Sequence, residues 1–101
     1  MYKMIVFYPK PADEAAFLNR FKTGHVPLLR KLPGCFDVKL NVVDKHLIGE
    51  SAYWAYSETW FHTVEEWKTA LKSPEMMTCG ADVMQFASGF VVTVGHEEEL
   101  S

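Results

Sequence analysis

The sequence has little sulfur for redox or metal chemistry. Its 101 residues include two cysteines, Cys35 and Cys79, at no metal-ligand or redox spacing. We read both as free thiols in a reducing compartment and expect the protein to be cytoplasmic. Excess positive charge is also missing. Lys and Arg total 10 against 13 Asp and Glu, a net charge of −3, which argues against a nucleic-acid or anionic-membrane binder. Long hydrophobic runs are absent. No stretch approaches the ~20 apolar residues of a membrane span, and Met1–Tyr8 lacks the long apolar region and cleavage site of a signal peptide. There is no phosphate loop, dinucleotide fingerprint or Gly-x-Ser-x-Gly elbow. His46, His62 and His96 are scattered, so no metal site and no cofactor is expected.

What the chain does have is apolar bulk. Hydrophobic residues make up 49% and aromatics 14%. A chain of this length forms one domain, spanning 1–101, that hides roughly two thirds of its unfolded surface. This much apolar material exceeds what one small core readily covers, which points to a pocket or a self-association face. The Glu97-Glu98-Glu99 run reads as a solvated tail.

Periodicity divides the chain into alternating elements. Tyr2 to Tyr8 is a β-branched and aromatic strand that stops at Pro9-Lys10-Pro11. Asp13 caps a helix in which Phe17, Phe21, His25 and Leu28 share one face, while Asn19, Arg20 and Lys22 fall elsewhere. Gly24 and Pro27 weaken that helix. Proline lacks an amide hydrogen, so a kink or restart is expected with His25 at the irregularity. Pro33-Gly34 ends the helix. Phe36, Val38, Leu40 and Val42 then alternate with Asp37, Lys39 and Asn41 in a strand with one polar face. Asp44 to Ser51 is a loop, and Ala52 to Phe61 a long aromatic strand. Thr63 with Glu66 is a capping box for a helix through about Leu71. Ser73-Pro74-Glu75 opens another that ends near Ser88-Gly89. Phe90 to Val94 is the last strand.

The order β-α-β-β-α-β predicts an α+β, ferredoxin-like antiparallel sheet with helices on one face. The first and third strands are central in that topology, and both carry apolar residues on both faces. We group Ile5 and Phe7 against Met4, Val6 and Tyr8, and Trp54, Tyr56 and Trp60 against Tyr53, Ala55 and Phe61. Helices cover one face only. Large exposed apolar patches are uncommon on monomers, so we expect a homodimer, sheet on sheet, forming a dimeric α/β barrel.

These features resemble the EthD family of the dimeric α/β-barrel superfamily. The resemblance runs nearly end to end. It rests on Tyr8-Pro9 and the Pro-Ala-Asp helix start, His25-Val26-Pro27-Leu28, Lys31-Leu32-Pro33-Gly34, Gly49-Glu50-Ser51, Ser73-Pro74-Glu75, Ala81-Asp82 and Phe86-Ala87. It implies a ligand cavity in each subunit between helices and sheet. The family is named for ethyl tert-butyl ether degradation, where a member accompanies a cytochrome monooxygenase system, so an oxygenase partner is also implied. Superfamily relatives include cofactor-free oxygenases and cyclases, lactone isomerases and haem-degrading enzymes. The family therefore leaves the reaction open.

Three residues are candidates for catalysis. His25 titrates near neutral pH and sits on an apolar face, where burial favours its basic form; it could equally be a core histidine. Asp82 lies amid Ala81, Val83 and Met84, where a carboxylate needs a partner or exposure. It could orient His25 or be a solvated helix carboxylate. By alternation Glu58 shares a face with Trp54, Tyr56 and Trp60, and could meet His25, a substrate or Lys39. Tyr8, Tyr56, Trp60, Met84 and Phe86 are candidate substrate-binding walls, or plain core. One reading is a cofactor-independent isomerase, cyclase, decarboxylase or oxygenase acting on a small hydrophobic oxygenated molecule, with His25 as acid/base. The alternatives are a non-catalytic binding or accessory protein supporting an oxygenase-based pathway, and a structural dimer that fills its own cavity.

Overall fold

The computed structural model describes residues 1–101. Strand β1 (Tyr2–Pro9) leads through the capped turn at Asp13 into α1 (Glu14–Arg20). A π-helical turn over Phe21–His25 and the short α2 (Val26–Leu29) follow. Then come β2 (Asp37–Val42), β3 (Tyr53–Phe61), α3 (Val64–Leu71), α4 (Pro74–Phe86) and β4 (Val91–His96). The four strands are antiparallel in the order β2-β3-β1-β4. As expected, β1 and β3 are central and the architecture is ferredoxin-like.

The local chemistry explains most boundaries. The Asp13 side chain accepts from the Ala16 amide, Thr63 from Glu66 and Ser73 from Met76, each satisfying a free amide of a first helical turn. Gly34 has φ +81°, and an added Cβ would lie 2.9 Å from Glu66 Oε2. Only glycine takes this turn into β2 without strain. The kink expected before Pro27 is a π turn, in which the Val26 amide reaches back to the Phe21 carbonyl. The wider turn advances the buried face by one position. Phe17, Phe21 and His25 are buried as expected, but Leu29 rather than Leu28 completes the stripe.

Alternation along β1 buries Met4, Val6 and Tyr8 under the helices and turns Lys3, Ile5 and Phe7 to the open face. In β3, Ala55, Ser57, Thr59 and Phe61 face the helices, while Tyr56, Glu58 and Trp60 face away. The predicted grouping of Trp54 with Tyr56 and Trp60 is corrected by a bulge. Tyr8 pairs with Ala55 and Pro9 with Tyr53, so Trp54 is an extra residue in its strand. It turns under the helices, with its ring 5.3 Å edge-on to Phe17. Beyond the bulge Tyr53 returns to the open face beside Phe7, at 5.5 Å.

The core is an aromatic cluster between sheet and helices. Phe17 stacks on Phe21 and meets Tyr8 and Phe86 edge-on, and Trp67 of α3 meets Phe61. Cys79 is buried, Cys35 half-buried, and both are free thiols. No helix is long and apolar enough to cross a membrane.

Candidate active site

His25 ends the π turn and is only 3% exposed. Its Nδ1 lies 2.9 Å from Asp82 Oδ2 on α4. Asp82 also accepts from both terminal nitrogens of Arg20, with Nη1 3.1 Å from Oδ2 and Nη2 on Oδ1. Each neighbour shifts the others. Burial holds the His25 imidazole below its ordinary value near 6.5, opposed by the Asp82 carboxylate and reinforced by the Arg20 charge. The Arg20 fork holds Asp82 below the usual carboxylate range, against desolvation and with help from His25. The Asp82 contact in turn raises Arg20.

These directions fix the tautomer. An ionised carboxylate only accepts, so the neutral His25 ring donates from Nδ1 and carries its lone pair on Nε2. Nε2 has no protein partner. Phe86 presses edge-on against the ring at 5.2 Å and Phe21 flanks it at 5.5 Å. The imidazole is therefore held by one specific hydrogen bond and by packing.

His25 lines a cavity of about 260 Å³ between α4 and the β1–β4 side of the sheet. Met4, Val6 and Tyr8 form its floor, with Ser57 from β3. Cys79, Val83 and Met84 line it from α4, and Val92 from the edge strand. The walls are apolar except for a few groups. The Tyr8 hydroxyl is buried with no hydrogen bond, the Ser57 hydroxyl lying beside it but outside bonding geometry. Burial pushes the Tyr8 phenol up to about 12, with Ser57 a smaller opposing influence, so it is a donor at neutral pH. The Cys79 thiol is pushed up to about 11, by burial first and then by Asp82 and other negative groups, so it stays protonated.

The structure brings some predicted site residues together and separates others. His25 and Asp82 meet, and Tyr8 and Met84 share the cavity. Phe86 packs on the His25 ring and lines an adjacent hollow of about 250 Å³ with Pro9 and Phe17. Glu58, Tyr56 and Trp60 are not in this cavity. Strand alternation puts them on the other side of the sheet, where Glu58 Oε2 bonds Lys3 Nζ at 2.8 Å. Glu58 therefore does not meet His25, and it pairs with Lys3 rather than Lys39. Sequence reasoning missed Arg20, set aside as lying off the apolar face. The signal it left was Gly24 one turn later, a gap where its side chain runs. No cluster of three or more His, Cys, Asp or Glu side chains is placed to hold a metal ion.

A model of the EthD domain matches residues 9–89. The chain belongs to the EthD family. An uncharacterized 11.0 kDa protein of Rhodococcus erythropolis, from the thcB-thcC intergenic region, is 32% identical over 99 residues, covering 98% of this chain and 96% of that one. The crystal structure of an EthD family protein from Bacillus halodurans superposes with a TM-score of 0.87 at 31% identity, over 97% of this chain and 99% of that one. A hydroxynitrile lyase from Passiflora edulis shares the fold, with a TM-score of 0.77 at 16% identity, over 99% of this chain and 95% of the other. The matched span contains every residue of the His25–Asp82–Arg20 constellation.

Proposed function

We propose that this EthD protein binds a small hydrophobic molecule bearing a carbonyl or hydroxyl oxygen, and that His25 moves a proton on it. The supporting observation is the asymmetry of the buried imidazole. Nδ1 is tied to an ionised Asp82, and Nε2 is left unpartnered in a residue that lines an apolar cavity. A neutral histidine in such surroundings is suited to removing an acidic C–H or O–H proton near pH 7. The Tyr8 hydroxyl supplies the complementary group. A buried donor without a partner costs free energy, and a small shift of Tyr8, which lines the cavity, would bring its hydroxyl onto a ligand oxygen. Negative charge developing on that oxygen would be held by the Tyr8 O–H while Nε2 carries the proton. Returning the proton to a different atom gives isomerisation, and the same carbanion can lead to cyclisation onto a second carbonyl of the ligand or, with dioxygen as co-substrate and oxidant, to oxygenation. Asp82 acts through His25 by fixing its tautomer.

The experiment is hydrogen–deuterium exchange at acidic C–H positions of hydrophobic 1,3-diketones and lactones in D2O, followed by NMR. Wild-type protein is expected to accelerate exchange, and His25→Gln to lose about 100-fold or more of it, the usual contribution of a positioned base. Equal exchange by both proteins would sink the acid–base role. Saturable binding of these compounds without acceleration by either protein would favour the accessory, non-catalytic reading. Two chains are further inferred to pair through the open sheet face, as argued in the Discussion.

A further inference from the structure

Arg20 is the cation that reaches the His25–Asp82 pair. The polar and titratable groups around His25 are Asp82 and Cys79 from α4, Tyr8 from β1, Ser57 from β3, and Arg20 from α1 acting through Asp82. The Arg20 side chain, about a third exposed, lies back along the helix surface. Its guanidinium carbon lies 4.9 Å from the centre of the Phe86 ring, and both terminal nitrogens close on the Asp82 carboxylate. To get there it passes directly over Gly24. A Cβ added at Gly24 would lie 2.3 Å from Nη1 and 3.2 Å from Cζ. A side chain at 24 would force the guanidinium to shift from this position. Glycine inside a helix costs about 1 kcal/mol relative to alanine, and the space it leaves is taken up by this one side chain.

We propose that Gly24 and Arg20 form a positioning device for His25: Gly24 clears the path along which Arg20 reaches Asp82, and the guanidinium fork fixes Asp82 so that Oδ2 stays on His25 Nδ1. The proposal deepens the reading of His25 as the acid/base and makes Arg20 a positioning residue. Geometry carries it. Oδ2 is shared by Arg20 Nη1 and His25 Nδ1, and Oδ1 is taken by Nη2. A bidentate fork sets the plane of the carboxylate as well as its charge. Without it, Asp82 is a half-buried carboxylate free to rotate away from the ring.

The charges give the device a signature that mere structural support lacks. Asp82 stabilises the protonated imidazole and Arg20 disfavours it. Losing the Arg20 charge alone would make His25 easier to protonate, whereas an Asp82 that leaves the ring makes it harder, so the fixed Nδ1–H tautomer is what reports the positioning. The test is 15N NMR of the His25 ring across a pH titration, in wild type, Arg20→Gln, Gly24→Ala and Asp82→Asn. Wild type is expected as the neutral Nδ1–H tautomer at pH 7. Arg20→Gln and Gly24→Ala are both expected to mix the tautomers, because Asp82 no longer stays on Nδ1, with Gly24→Ala showing the smaller change. Asp82→Asn is expected to move it to lower pH. Gly24→Ala keeps the test open if Arg20→Gln folds poorly, because alanine favours helix and the obstructed atom is the flexible end of Arg20. If both variants keep the single Nδ1–H tautomer, the proposal fails, whatever the pH of titration. The titration needs no substrate, so its failure is separate from failure of the His25 acid–base role, which the exchange experiment reads.

Discussion

Asp82 holds two donors with opposite consequences. His25 needs the carboxylate to orient it, yet a free carboxylate would also pull a proton onto the ring and remove the base. Burial offsets that pull, and the Arg20 charge adds to the offset. This balance sets the response of stability to pH. The folded His25 pKa is depressed below the unfolded value near 6.5. As pH falls below 6.5 the unfolded chain takes up a proton before the folded chain does, so stability declines until the folded pKa is reached and then levels. Asp82 adds a second loss at lower pH. Its folded pKa lies below 3.8, so its contribution is present above that value and lost as pH falls through the folded one. We therefore predict that His25→Gln flattens the first decline and leaves the second. Urea midpoints measured at pH about 7 and about 5, either side of the unperturbed histidine pKa, should differ less in the variant. An undiminished difference would show that the decline belongs to other groups.

Single residues take these roles because short elements hold them. Ser73 stands between α3 and α4, accepting from the Met76 amide at 3.3 Å and donating to the Ala70 carbonyl at 2.6 Å. Ser73→Ala removes the cap of the helix that carries Asp82 and should cost about 1 kcal/mol, read as a lower urea midpoint with unchanged slope. A deeper test of packing is Phe21→Ala. Phe21 is fully buried between Tyr8, Phe17, His25 and Phe86, and its loss should cost about 3–5 kcal/mol, with α1 and α4 both loosened in hydrogen exchange. At this scale the sequence was most readable. The caps at Asp13, Thr63 and Ser73, the strand faces of β1 and β2, and the break before Pro27 follow from one residue's donors or from simple alternation. Two features did not. The β3 bulge is invisible because Tyr-Trp-Ala-Tyr reads as unbroken alternation until the Tyr8–Ala55 register is known, and alternation groups Tyr56 with Trp60 without telling which side of the sheet the helices cover. Arg20 was unreadable because its contact is with Asp82, 62 residues away in sequence, and is permitted by a gap rather than by a residue pattern.

The whole molecule is a slab. Its extents are 38 × 35 × 19 Å and its radius of gyration is 14.0 Å, against about 12.7 Å for a compact chain of this length. Its surface of 6632 Å² exceeds the roughly 5,800 Å² of a typical monomer of this mass by about 800 Å². That excess is close to one partner's share of a standard protein interface, about 800 Å². The open sheet face supplies suitable chemistry. Phe7 packs between Tyr53 and Tyr56, and Trp60 lies beneath Lys3 at 4.2 Å and Lys39 at 4.8 Å. The Trp60 indole N–H is shielded from water and bonds nothing. Val91, paired with Phe7, continues this apolar surface onto β4 and is 41% exposed. Pairing two such faces would also back the floor of each cavity, because β1 and β3 bear the site on one side and the interface on the other. We predict that the wild-type protein sediments at twice its chain mass of 11.5 kDa at concentrations of about 10 µM, where an interface of this size is populated if its Kd is micromolar or tighter. A charge at the centre of the face, Phe7→Glu, is expected to give a single chain that keeps its far-ultraviolet circular dichroism, since the helix-side core lies across the sheet. Tyr8 is the next residue in β1, so the monomeric variant should also bind ligand more weakly although it alters no cavity-lining side chain. A wild-type monomer at that concentration, or a Phe7→Glu dimer, would rule out the open face as the interface.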